Sequence, residues 1–141
     1  MPAPYTDGDA RTWIEGNTER AATGRAVTWA IADPASDQLL GAVNVFDVNE
    51  HDAEVGYWAH PDARGRGTMR AAVGLVTRWS FAELGIGRLR LVAAVDNTAS
   101  RHVAVACGYT LTGEERLGTI IRTGLADVVL YDLLAEESSR A

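Results

Sequence analysis

The residues of this 141-residue chain best suited to chemistry lie close together. Arg64-Gly65-Arg66-Gly67-Thr68 interleaves two glycines with two arginines just ahead of a helical pattern. Glycine lets a backbone approach a ligand closely, and a helix start leaves N–H groups unpaired. Those donors, the positive end of the helix dipole and the two guanidinium groups together suit a phosphate. Upstream, Glu54 stands in an otherwise apolar strand, where an ionised carboxylate is costly unless it meets water or a partner. Downstream, Asn97 and Ser100 place an amide and a hydroxyl at the start of a second helical pattern.

Several phosphate loops compete for the Arg-Gly-Arg-Gly run. The Walker loop ends in Gly-Lys-Ser/Thr, and this chain contains no lysine. The dinucleotide fingerprint needs a third glycine where Arg70 stands, with an acidic residue further on after a strand. A bare Gly-x-Gly is weak evidence alone. The context carries more: strand, proline-containing turn, Arg-Gly-Arg-Gly, then a long amphipathic helix.

The positioning elements follow from periodicity. Ala53, Val55 and Tyr57 alternate with Glu54, Gly56 and Trp58, which predicts a strand over Ala53–Ala59. His60-Pro61-Asp62-Ala63 turns, and Met69, Val73, Val76, Trp79 and Ser80 recur at helical spacing, predicting a helix from Thr68 to Leu84 that stops at Gly85. Ahead of this unit the pattern gives a helix from Asp7 or Asp9 to Ala22, with Trp13 and Ile14 as buried contacts. Strands at Ala26–Ala32 and Leu40–Val48 then follow, joined by the Asp33–Asp37 turn. Behind it come a strand at Arg88–Val95, a helix capped by Asn97 and ended by Gly108, and three strands at Tyr109–Gly113, Thr119–Thr123 and Ala126–Leu134. Paired strands with one strand–helix–strand crossover give a single α/β domain with a mixed sheet over residues 1–141. Its ends, Met1–Thr6 and Glu136–Ala141, are expected to be mobile.

The central stretch resembles the acetyl-CoA-binding core of the GNAT superfamily of N-acetyltransferases, recognised by Arg/Gln-x-x-Gly-x-Gly/Ala after a strand. Arg64 to Met69 fits it except at the end, where Met69 replaces the small residue. The Glu-Val-Gly-Tyr-Trp strand is similar to the RimJ/RimL-like branch. The likeness continues through Trp79-Ser80-Phe81, Leu84-Gly85, Arg88-Leu89, Asp96 to Arg101 and Cys107-Gly108-Tyr109. It implies a mixed, mostly antiparallel sheet flanked by helices (α+β in type). It also implies a further strand and helix ahead of the opening helix, for which this sequence shows no counterpart. Either a partner subunit, as in a homodimer, covers that gap or the site is more open.

Acetyl transfer from a thioester to an amine needs a neutral amine, a place for the negative oxygen and an exit for the thiolate. A lysine-like amine is neutral about one part in 2,500 at pH 7, a cost of about 4.6 kcal/mol, whereas an α-amine costs about 1 kcal/mol. A base therefore matters most for a side-chain amine. The resemblance implies Glu54 as that base; the bland alternative is a carboxylate facing solvent or paired with an arginine. It implies Ser100 as the acid for the leaving sulfur, against a first-turn serine bonding its own backbone. It implies Asn97 as a partner for pantetheine amides, compatible with helix capping. A backbone N–H near Trp58 or Ala59 would meet the oxyanion. Arg64, Gly65, Arg66, Gly67, Thr68 and Met69 would hold the acetyl-CoA phosphates. Arg101 is a further phosphate candidate, with a plain surface arginine the safer reading. His60 reads as a loop histidine, and His51 and His102 fit no metal spacing.

Composition sets the outer limits. An apolar share of 47% predicts a packed core, and one cysteine, Cys107, allows no internal disulfide and reads as a small hydrophobe at a helix end. A net charge of −6 argues against nucleic acid and suits a cationic acceptor. No apolar run reaches membrane length, so a cytoplasmic protein is expected. The leading reading is an acetyl-CoA-dependent N-acetyltransferase acting by direct transfer, on a protein N-terminus or a small amine, with no metal. Met69 and the short front end motivate the alternative of a catalytically weak CoA-binding module. An enzyme of nucleotide phosphates ranks third.

Overall fold

The computed structural model describes residues 25–121 and 123–140, so the expected opening helix lies outside the described residues. Six strands form one sheet in the order β1-β2-β3-β4-β6-β5. They are β1 (Val27–Ala32), β2 (Leu39–Phe46), β3 (Asp52–Ala59), β4 (Arg88–Ala94), β5 (Thr110–Ile121) and β6 (Gly124–Leu134). All neighbours are antiparallel except β3 and β4, which are joined through the long helix α1 (Thr68–Leu84). Helix α2 (Thr98–Ala106) connects β4 to β5, and a short α3 (Ala135–Ser138) follows β6.

The period-two pattern sorts the faces. Val43, Val45, Ala53, Val55, Leu89, Leu91, Val129, Tyr131 and Leu133 are buried on the face that carries α1, whose Val73 and Val76 pack onto them. Asp52, Glu54, Arg88, Arg90 and Asp132 take the alternate positions on the other face. The half-buried Trp29 and Trp79 meet edge to face, with ring centroids 4.9 Å apart. Inside α1, the buried Ser80 hydroxyl donates to the Val76 carbonyl, and Thr77 and Tyr109 share a hydrogen bond of 2.8 Å. Burial pushes the Tyr109 phenol far up, so it remains a neutral hydrogen-bonding group.

Two sequence expectations change. The separate strands at Tyr109–Gly113 and Thr119–Thr123 are one strand, β5, interrupted by a bulge between Glu115 and Thr119. There Leu117 takes a φ of +52°, and its N–H is satisfied by the Asp127 carboxylate at 2.9 Å on β6. The polar tail also begins as structure. Glu137 Oε2 accepts the Leu134 N–H at 3.0 Å, which starts α3 where a mobile end was expected. Among the described residues, no helix is long and apolar enough to cross a membrane.

Candidate active site

The sheet is forked at its centre. β3 pairs with β2 from Phe46↔Glu54 to Gly41↔Ala59, but with β4 only from Asp52↔Arg88 to Val55↔Leu91. Beyond that point β4 stays with β6 up to Ala94↔Val128. Residues Gly56–Ala59, paired with β2 on one side, therefore border an opening on the other, where no described strand lies beside them. Which amides face it follows from the ladder. The His60 N–H donates to the Leu40 carbonyl, and in antiparallel pairs the hydrogen-bonded positions alternate. Trp58 thus turns its N–H toward β2, while Tyr57 and Ala59 turn theirs into the fork. Of the two residues expected to meet the oxyanion, Ala59 has the suitable backbone direction and Trp58 does not.

Beside the fork, a 3-10 turn at Pro61–Ala63 leads into the glycine loop; its first N–H groups are capped by the His60 ring, whose Nδ1 accepts from Asp62 at 3.1 Å. Gly65 and Gly67 have φ of +76° and +71°, a region that side chains rarely occupy. Helix α1 starts at Gly67 with no side-chain cap. Among the described residues, none of the backbone N–H groups from Gly65 to Arg70 has a protein partner; the first that does is Ala71, bonded to the Gly67 carbonyl at 3.1 Å. Gly65, Arg66 and Gly67 are exposed, and among the described residues no atom lies within 4 Å of where a Cβ would sit on either glycine. Arg64 is exposed and makes no ion pair among the described residues, whereas Arg66 leans 3.5 Å from Asp33 on the β1–β2 turn. Two backbone N–H bonds, from Ala35 and Ser36, hold the Asp33 carboxyl below its usual range, and Arg66 adds to the effect.

Met69, the departure from the family pattern, has a structural place. Its terminal methyl lies 3.0 Å from where a Cβ on Gly41 would be, so the glycine on β2 makes room for it. The same imaginary Cβ would sit 2.3 Å from the Trp58 carbonyl. The side chain of Met69 thus packs toward the sheet, and only its amide is left to the loop.

On the far side of the fork, the Asn97 side chain accepts the Ser100 N–H at 3.1 Å and caps α2. The Tyr57 hydroxyl crosses from β3 to donate to the Ser100 carbonyl at 3.2 Å. Burial pushes the Tyr57 phenol up, so it keeps its proton at neutral pH. The Ser100 hydroxyl has no hydrogen-bond partner among the described residues and is partly exposed. Arg101 is not a free surface arginine. It donates to the Tyr131 hydroxyl at 3.2 Å and the Val95 carbonyl at 3.0 Å, which ties α2 to the sheet.

Glu54 sits at the apex of the fork, one residue before β3–β4 pairing stops. Arg90, its partner in register, places Nη1 3.3 Å from Glu54 Oε2. Burial pushes the Glu54 carboxyl up, Arg90 pulls it down and Asp47 pushes it up, with a net rise. Sequence reasoning named Glu54 but not Arg90 or Tyr57. Arg88 and Arg90 on the same strand face were the available signal for the first. The second carried none beyond its place in the strand. A groove of about 710 Å³ runs from Gly67 along Arg70, Ala71, Gly74 and Arg78 of α1 to Cys107. Cys107 is half-buried, its thiol pushed up by burial and lying 3.4 Å from the Arg70 carbonyl.

A bare helix start beside a forked sheet is where comparison decides. The family model for the acetyltransferase (GNAT) domain matches residues 1–110. The chain belongs to the GNAT acetyltransferase family. Among curated relatives, YdaF of Bacillus subtilis (strain 168), whose name assigns it provisionally to ribosomal N-acetylation, is 32% identical over 101 residues, 70% of this chain. That match covers 55% of the relative, so the chain spans about half of that protein's length. The ribosomal-protein-serine acetyltransferase of Escherichia coli (strain K12) is 27% identical over 129 residues, 89% of this chain and 70% of that protein. Among solved structures, one described as a probable acetyltransferase has a TM-score of 0.85 at 27% identity, covering 95% of this chain and 75% of the other. The RimL ribosomal L7/L12 α-N-protein acetyltransferase in complex with coenzyme A shares the fold, with a TM-score of 0.82 at 22% identity over 92% of this chain and 73% of that one. The mixed six-stranded sheet of this GNAT domain agrees with both.

Proposed function

We propose that this chain transfers the acetyl group of acetyl-CoA to a primary amine by direct attack within a ternary complex. The observation that carries the reading is the run of N–H groups from Gly65 to Arg70 that have no partner among the described residues, set beside an opening in the sheet. That run suits the pyrophosphate of CoA, and Arg64 adds charge to it. The groove beyond Gly67, with Arg70 and Arg78, has room for the nucleotide end. The exposed edge of β3 at Tyr57 and Ala59 offers backbone partners to the pantetheine amides in the manner of an added strand. Acetyl-CoA supplies the activated acyl group. The Asn97 amide nitrogen, left over from capping, is a further partner for the pantetheine.

The remaining residues handle protons and charge. Glu54, at the apex, accepts the proton that the amine gives up as its nitrogen bonds to the acyl carbon. The Ala59 N–H meets the oxygen that turns negative. As the carbon–sulfur bond breaks, the Ser100 hydroxyl gives the sulfur a proton and regains one from water. Because the leaving thiol has a pKa of about 8.5 by analogy with cysteine, that last help is the least demanding. Among the relatives, one is named for acetylating a ribosomal protein and another for acetylating spermidine. The net charge of −6 suits a cationic acceptor of either kind. We place the protein in the cytoplasm, where acetyl-CoA and such acceptors meet.

The ion pair between Arg90 and Glu54 favours a second reading, in which Glu54 is structural and the chain binds CoA without efficient turnover. Calorimetric titration with CoA, joined to a thiol-release assay over peptide N-termini, spermidine and small amines, separates the two. Amine-dependent release of thiol is the expected result. Tight CoA binding without release on any acceptor would replace the enzyme with the binding module.

A further inference from the structure

The face of the sheet opposite α1 carries a chain of charges that ends at the fork. Arg88 Nε lies 2.9 Å from Asp132, and its Nη1 lies 3.8 Å from Asp52. Arg90 Nε lies 3.5 Å from Asp52, and its Nη1 lies 3.3 Å from Glu54. Asp52 and Glu54 are two residues apart on β3 and so share a face, with Arg90 between them. The Arg90 contacts are long for charge-assisted hydrogen bonds, and its buried Nε has no hydrogen-bond partner among the described residues. A guanidinium held this loosely between two carboxylates can shift its weight from one to the other.

We propose that Arg90 is a positioning residue for acetyl transfer: it holds the Glu54 carboxylate at the apex of the fork and leans to Asp52 when Glu54 takes a proton. The inference rests on Glu54 acting as the base. The groups that bear on Glu54 are Asp47 beyond β2, Asp52 on β3, Arg88 and Arg90 on β4, and Asp132 further along on β6. Of these, Arg90 is the cation nearest Glu54. It offsets part of the upward push of burial and of Asp47, which keeps the base ionised over a wider range of neutral pH.

The signs follow. A base works in its ionised form, so the rate falls as pH drops through its pKa. Without Arg90, burial and Asp47 act unopposed and the acid limb of kcat/KM moves to higher pH. Without the Asp52 charge, Arg90 serves Glu54 alone and the limb moves to lower pH.

The test is the pH profile of kcat/KM on a lysine-like acceptor for wild type, Arg90→Met, Arg90→Lys and Asp52→Asn, with Glu54→Gln as reference. Melting temperature and CoA affinity are measured on each. Arg90→Met is expected to raise the acid limb by about one pH unit, which is about tenfold in rate below the limb, and to recover at high pH. Arg90→Lys restores most of the loss, and CoA affinity stays within about twofold because the residue lies away from the phosphate loop. Asp52→Asn shifts the limb the other way, a result that stands even if Arg90→Met fails to fold. A limb unmoved in the folded variants, or a loss equal at every pH, overturns the proposal. If Glu54→Gln keeps the wild-type profile, Glu54 is not the base and the proposal falls with that reading. If Glu54→Gln is inactive and the Arg90 and Asp52 variants titrate like wild type, only the positioning role falls.

Discussion

The two helices that flank the fork begin in opposite ways. Both follow strands that run parallel, so both open at the same edge of the sheet. Helix α2 is satisfied from within: the Asn97 side chain takes the Ser100 N–H, and the Thr98 N–H bonds to Asp96. Helix α1 is left bare: two glycines with positive φ precede it, and among the described residues no side chain caps it and its first N–H groups have no partner. A helix start with glycine in place of Asn or Asp at the cap gives up only about 0.3 kcal/mol of stability. Gly67 at this position suits the proposed anion site, where a capping side chain would occupy the N–H groups. The capped start holds residues in place; the bare one leaves donors for the proposed ligand.

That contrast breaks most visibly at Gly67. Replacing it by alanine strains a residue held at positive φ by about 1–2 kcal/mol. It also sets a methyl among the phosphate donors, whose charge-assisted bonds are worth about 1.5–3 kcal/mol each. CoA affinity should fall by about 100-fold, read by calorimetry, a larger effect than the cost of the strain in thermal stability. The reverse is expected at the other helix. Asn97→Ala removes a cap and should cost about 1 kcal/mol, or about 2–4 °C in melting temperature, with a smaller change in CoA affinity than at Gly67. Gly67→Asn sharpens the comparison, since asparagine tolerates positive φ and can satisfy a helix start. Its expected mark is a melting temperature near that of wild type with CoA affinity down about tenfold. Equal losses of stability and affinity in all three variants would erase the distinction.

The same contrast marks what could be read from the sequence. The bare start was legible because it is local: strand, proline turn, Arg-Gly-Arg-Gly and helix are contiguous, and α1 runs over Thr68–Leu84 as the periodicity indicates. The cap at Asn97 was legible for the same reason. The motifs alone resemble the GNAT superfamily, and the family match agrees. What lay beyond reach depends on register between distant strands. Arg90 meets Glu54 only because β3 and β4 align Asp52 with Arg88 across the whole of α1. The Tyr57–Ser100 bond likewise joins residues far apart in sequence. The sequence pattern divides β5 into strands at Tyr109–Gly113 and Thr119–Thr123, with residues 114–118 between them. That segment contains the bulge, held by Asp127 on the partner strand. The short helix α3 starts where the Glu137 carboxylate accepts the Leu134 N–H, a contact that polar composition alone does not specify.

The most direct test of the central claim is a crystal structure of this protein grown with CoA. The account predicts pyrophosphate oxygens within hydrogen-bonding distance of the amides of the Gly65–Met69 loop, with the pantetheine entering the gap between β3 and β4. Coenzyme A bound elsewhere, with that loop turned to solvent or folded against protein, would contradict it.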